Sequence, residues 1–79
     1  MSELYDAYEK RLASEIAETL NDRDSMALHL MYARKYKEAF LRKILAKVMA
    51  LPEHQIRKSR AALYTFLINQ NGRHGDARD

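Results

Sequence analysis

Cysteine is absent from all 79 residues, so the chain has no disulfide staple, no thiolate nucleophile and no cysteine-based metal site. Glycine occurs only at Gly72 and Gly75, and proline only at Pro52. Neither glycine falls inside a periodic segment, which fits neither a sheet protein with tight hairpins nor a glycine-rich phosphate loop. No apolar run approaches the roughly 20 residues that a bilayer-crossing helix needs. The acidic, polar start MSELYDAYEK is unlike a signal peptide. Small secreted domains usually carry disulfides, so the missing cysteine leans toward a cytoplasmic protein. His29, His54 and His74 are far apart with no acidic cluster beside them, and Ser59 next to Lys58 has no accompanying base. Neither a metal, a cofactor nor an enzymatic activity is therefore expected.

What is present is helical periodicity. Leu4, Tyr8, Leu12, Ile16 and Leu20 recur every four residues, with Ser2 placed to cap the helix they describe. Asn21–Ser25 interrupts the pattern, and Asp24 or Ser25 can cap the helix that starts near Met26. Leu28, Met31, Tyr32, Tyr36, Phe40, Ile44, Val48 and Leu51 could then share one long helix. An unbroken helix, however, would carry Lys37 onto the apolar stripe, so a break near Tyr36 is expected. Phe40, Leu41, Ile44, Leu45 and Val48 form the buried side of the third segment, with Lys35, Arg42 and Lys43 opposite. Pro52 ends that segment and suits the first turn of another helix. The last helix carries Ile56, Leu63, Phe66 and Leu67 and stops at Asn71-Gly72, a left-handed termination signal. The expected fold is all-α, a compact bundle of three to four short helices over residues 1–71, with a flexible tail at 72–79. Most of the five tyrosines are expected as core aromatics with their hydroxyls at the surface, and any exposed ones as surfaces for stacking on bases or filling a partner's pocket.

Charge is distributed unevenly along the chain. The net charge is +3, but residues 1–24 sum to −4 and residues 34–60 to +7. A basic block of that size points to a polyanion or an acidic protein as partner. Within it, LRKILAKVMALPEHQIRKSRAAL resembles a helix-turn-helix. Leu45, Met49 and Leu51 are apolar, Ala46 and Ala50 are small, and Ile56 would anchor the second helix. The likeness is incomplete, because Ala50 stands where a turn glycine is usual and Ser59 where an apolar residue is. In that motif the N-terminal side chains of the second helix meet base edges. The resemblance makes Glu53, His54, Gln55, Arg57 and Lys58 the candidate readers and Arg60 a phosphate contact. A structural reading of the same stretch has Ser59 capping a helix from Arg60 to Asn69, with the cations simply solvating a surface.

The expected function is a small nucleic-acid-binding regulatory or accessory module, DNA favoured over RNA, contacting its ligand through Lys35, Arg42, Lys43, His54, Gln55, Arg57, Lys58 and Arg60. The alternative is a protein-interaction module, adaptor or inhibitor, docking its basic face on an acidic protein. AFLRKILAKVMAL also has the look of a membrane-surface helix, but its apolar face has partners in the other segments, so no membrane partner is expected. The four-residue ladder of the first helix is a further candidate surface, for a homodimer.

Overall fold

The computed structural model describes residues 4–72. These form α1 (Ala7–Thr19), α2 (Met26–Lys35), α3 (Glu38–Ala50) and α4 (Arg60–Asn71), with 3-10 turns at Arg23–Ser25 and Glu53–Gln55 and no strand element among the described residues. The all-α expectation holds. Residues 73–79, and with them most of the expected tail, lie outside the described residues, as does Ser2.

Two acids set the start of α1. Asp6 Oδ1 accepts from the Glu9 amide at 2.8 Å, and Glu9 Oε1 accepts from the Asp6 amide at 2.9 Å. This reciprocal capping box satisfies two amides that the helix itself leaves unbonded. The helix therefore starts beyond Leu4, which is 78% exposed, and the apolar ladder loses its first rung. At the other end Asn21 takes the left-handed conformation (φ 53). Its amide donates to the Glu18 carbonyl at 3.1 Å, and the Asp22 amide donates to the Ala17 carbonyl at 2.7 Å. That is the paired bonding of a Schellman stop, with Asn in the place of the usual glycine. Neither Asp24 nor Ser25 caps α2 as the sequence suggested; the 3-10 turn Arg23–Ser25 leads into it instead, with no side-chain cap.

The break near Tyr36 is present. Tyr36 and Lys37 are both extended, and Lys37 is exposed at the start of α3, so the polar side chain never crosses the core. Pro52 does end α3, whose last residue is Ala50 and whose C-cap Leu51 is extended, but the helix expected to start at the proline is absent. Pro52 is extended (ψ 150), a single 3-10 turn follows, Ile56 is extended again, and the last helix begins only at Arg60. Ser59 caps it, accepting from the Ala62 amide at 3.0 Å. A serine hydroxyl at that position supplies the acceptor that the proline at 52 lacks, and the helix starts where the acceptor is. Gly72 ends α4 with φ −73, not in the left-handed region. Glycine is needed there for space: a Cβ would stand 2.6 Å from the Tyr36 ring.

Leu12, Ile16, Tyr32, Phe40, Leu41, Ile44, Val48, Tyr64 and Ile68 make up most of one core. In it α1 packs on α2, and α3 on α4. The face of α1 that the ladder would offer to a second copy is thus already covered, since Leu12 and Ile16 are 3% and 2% exposed. A chain of aromatic rings runs through the middle, with Tyr36 5.4 Å from Phe40 and 5.6 Å from Tyr32, and Tyr32 6.4 Å from Tyr64. The Tyr32 hydroxyl donates to Asn69 Oδ1 at 3.1 Å and ties α2 to α4. Tyr64 departs from the expectation for tyrosines: its hydroxyl is buried and has no hydrogen-bond partner among the described residues. Burial first, then the neighbouring Tyr32, pushes its pKa well above the ordinary 10. Burial likewise raises that of Tyr32. Among the described residues no helix is long and apolar enough to cross a membrane.

Two outcomes follow from this packing. Ile16→Ala should cost about 2 to 5 kcal/mol in urea unfolding, whereas Leu4→Ala should stay within about 0.5 kcal/mol. Ile56, only half-buried and outside the core, should fall between them. At alkaline pH the unfolded chain releases tyrosine protons near 10 that folded Tyr32 and Tyr64 retain. Their contribution is complete below that pH and is lost as pH rises through the folded values. Tyr64→Phe should therefore flatten the alkaline decline of the melting temperature, read alongside tyrosinate absorbance.

Candidate functional site

Folding divides the basic residues into those that hold the domain together and those that face solvent. Arg34 belongs to the first group. Its Nε donates to Glu9 Oε2 at 3.0 Å and its Nη2 to Glu9 Oε1 at 2.9 Å. The guanidinium also lies 4.6 Å from the Tyr5 ring centre. Arg42 donates to both Glu15 oxygens, at 2.7 and 3.1 Å, and from Nε to Glu38 Oε2 at 2.7 Å, joining α1 to α3. These hydrogen bonds hold the Glu15 and Glu38 carboxyls below their usual range, with the Tyr8 hydroxyl adding to the effect at Glu38. The contribution is present above the ordinary carboxylate range and fades as the pH falls, and at exposed positions it is screened. Arg60 donates from Nη1 to the Val48 carbonyl at 2.6 Å. That carbonyl lies in the last turn of α3, where its backbone donor is the C-cap Leu51 amide at 3.4 Å. Arg60 is thus a clasp between the end of α3 and the start of α4.

The second group is Lys35, Lys37, Lys43, Lys47, Arg57 and Lys58, all exposed and none paired with an acid among the described residues. Lys35 does rest 5.3 Å from the Tyr36 ring centre. Of the described acids, Asp6, Glu9, Glu15, Glu18, Asp22 and Glu38 have partners inside the domain. Only Asp24 and Glu53 are left over. The acidic first helix does not remain a negative surface beside a positive one; it is largely neutralised by arginine, and the lysines carry the outward charge.

The linker builds a cleft. Residues 51–59 leave α3 extended, turn once through Glu53–Gln55, where the Ile56 amide donates to the Glu53 carbonyl at 2.9 Å, and reach Ser59 beside the first turns of α4. Gln55, Arg57, Lys58 and Ser59 from the linker and Ala62, Leu63 and Phe66 from α4 line a cleft of about 580 Å³. Positions 62, 63 and 66 share one side of α4 by helical spacing, while Tyr64 and Ile68 take the opposite side into the core. An apolar floor results, with Phe66 58% exposed on it and two cations on its rim.

The sequence-derived candidates therefore separate. Gln55, Arg57 and Lys58 come together in the cleft. His54 is exposed on the 3-10 turn but does not line it, and Lys35 and Lys43 are exposed on α2 and α3. Arg42 and Arg60 have their guanidinium groups engaged within the domain, Arg42 with Glu15 and Glu38 and Arg60 with the Val48 carbonyl. The helix-turn-helix likeness is weakened too. Residues 51–59 are far longer than the usual three- or four-residue turn, Met49 is 40% exposed, and Ala46 and Ala50 face solvent. Sequence reading left Lys37 and Lys47 out of the candidate set, and it named Phe66 only as one of the apolar residues of the last helix. The available signal was that α4 has apolar residues around more of its circumference than one neighbour can cover. No protein-family model, curated protein or solved structure matches the chain.

The division between the two groups of cations is measurable. Arg60→Ala should lower stability by roughly 1 to 3 kcal/mol in urea, the loss of a hydrogen bond from a charged donor to a carbonyl whose other donor is the more distant Leu51 amide. Replacing Arg57 and Lys58 together by Ala should leave the unfolding midpoint within the range of an ordinary surface change.

Proposed function

We propose that the chain is a small nucleic-acid-binding module, regulatory or accessory in role, that grips phosphates with the cations left unpaired by folding. The observation that carries this reading is the sorting itself. Nearly every described acid is answered inside the domain, so Lys35, Lys37, Lys43, Lys47, Arg57 and Lys58 keep their charge for an outside anion. A phosphate backbone rewards such a set, because each phosphate neutralised releases condensed counterions. The preference for DNA over RNA rests on the helix-turn-helix likeness, which the long linker makes a looser support. The second reading, an acidic protein docking on the same cations, draws on the apolar floor of Ala62, Leu63 and Phe66, a surface suited to a partner's side chains.

Salt dependence separates the two. Binding to nucleic acid should weaken linearly in log K against log salt, with a slope near −0.9 per phosphate for duplex and about −0.7 for single strands. The Arg57→Ala, Lys58→Ala double variant should reduce the magnitude of that slope by about 2. Lys10→Ala with Arg11→Ala, on the acidic first helix, should leave it nearly unchanged. No binding to duplex or single strand at low salt would overturn the nucleic-acid reading in favour of the acidic protein.

A further inference from the structure

We infer that the cleft between the linker and α4 is a stacking site for an unpaired base, so that the ligand is single-stranded nucleic acid. The inference rests on the nucleic-acid reading and specifies the ligand of that same surface. Phe66 is a large aromatic side chain 58% exposed on α4, in a cleft whose rim carries Arg57 and Lys58. A flat apolar ring with cations beside it matches a nucleotide part for part: the base covers the ring, and the adjoining phosphates meet the cations. Gln55 and Ser59 line the same cleft and bring polar groups to the edge of a bound base. A cleft of about 580 Å³ falls in the size range of small-molecule sites, roughly 300 to 1,000 Å³.

The same residues argue against a duplex read through its major groove. Such reading needs long polar side chains on the N-terminal turns of the inserted helix. The first turns of α4 offer Arg60, whose guanidinium is held by the Val48 carbonyl, then Ala61, Ala62 and Leu63. What projects from this helix is an aromatic face, and a base exposes its own face only when it is out of the duplex stack. Charge complementarity selects the occupant from the other side. Arg57 and Lys58 have no acid partner among the described residues, and a strand brings one phosphate with every base.

The chain contains no tryptophan, so Phe66→Trp introduces a single indole reporter on the cleft floor. Short oligothymidylate should quench that fluorescence and bind the variant at least as tightly as the unmodified chain. Phe66→Leu keeps the site apolar but removes the ring, and it should lose binding to the single strand by about 5- to 150-fold, the range that stacking one base supplies. Its circular dichroism and melting temperature should be unchanged. The unmodified protein gives an independent readout: an abasic strand, which keeps the phosphates and lacks the bases, should bind more weakly than oligothymidylate by a similar factor. If Phe66→Leu and the abasic strand both match their references while the salt slope persists, stacking is overturned and the phosphate-binding reading stands. Duplex binding stronger than single-strand binding, without quenching, would have the same consequence. If no nucleic acid binds at low salt but an acidic amphipathic peptide quenches the indole, both readings are overturned and the cleft is a protein-docking groove.

Discussion

Glu9 is a carboxylate 4% exposed, and much of the domain is organised around keeping it satisfied. An unpaired buried carboxylate costs several kcal/mol, so the position is tolerable only with its hydrogen bonds complete. Asp6 supplies one through the capping box, which fixes where α1 begins, and Arg34 supplies two from the last turn of α2. One side chain therefore determines a helix start, the approach of α2 to α1, and the placement of Tyr5 under the Arg34 guanidinium. With α1 and α2 set in this way, Arg42 can reach across from α3 to Glu15 while also bonding Glu38 on its own helix.

Arginine and lysine do different work here for a chemical reason. The planar guanidinium offers several donors in fixed directions and engages a carboxylate or carbonyl with little further loss of freedom, whereas the ammonium is a compact, strongly hydrated charge on a flexible stem. Arg34, Arg42 and Arg60 each join two elements, whereas Lys35, Lys37, Lys43, Lys47 and Lys58 pair with no acid among the described residues. The outward potential of the domain is the remainder of that internal pairing, which the total charge of +3 does not reveal.

The cleft has a comparable origin. Because Pro52 stays extended and the next capping hydroxyl is Ser59, the chain between α3 and α4 becomes a strap instead of a tight turn. Arg60 clips the end of the strap to α3, and the helix that follows turns Tyr64 and Ile68 inward. Phe66, half a helical turn from Tyr64, is carried outward by the same rotation, beside the cations that the strap brings with it.

The sequence by itself determined the elements whose signals are local. The four-residue ladder of Leu12, Ile16 and Leu20, the interruption at Asn21–Ser25, the break forced by Lys37 and the cap available at Ser59 are written in neighbouring residues, since helix periodicity and capping act over a few positions. The preference between Pro52 and Ser59 as the last helix start was open at that level, because both are ordinary beginnings; the helix starts after Ser59, whose hydroxyl accepts from the Ala62 amide. The tertiary structure alone decided which cations remain free. Glu9 and Arg34 are far apart in the chain, as are Glu15 and Arg42, and no local pattern announces a pair whose geometry exists only once α1, α2 and α3 have docked. It also decided that Phe66 lies outside, because an amphipathic helix shows its apolar residues in the sequence but not how many of them its neighbours are wide enough to cover.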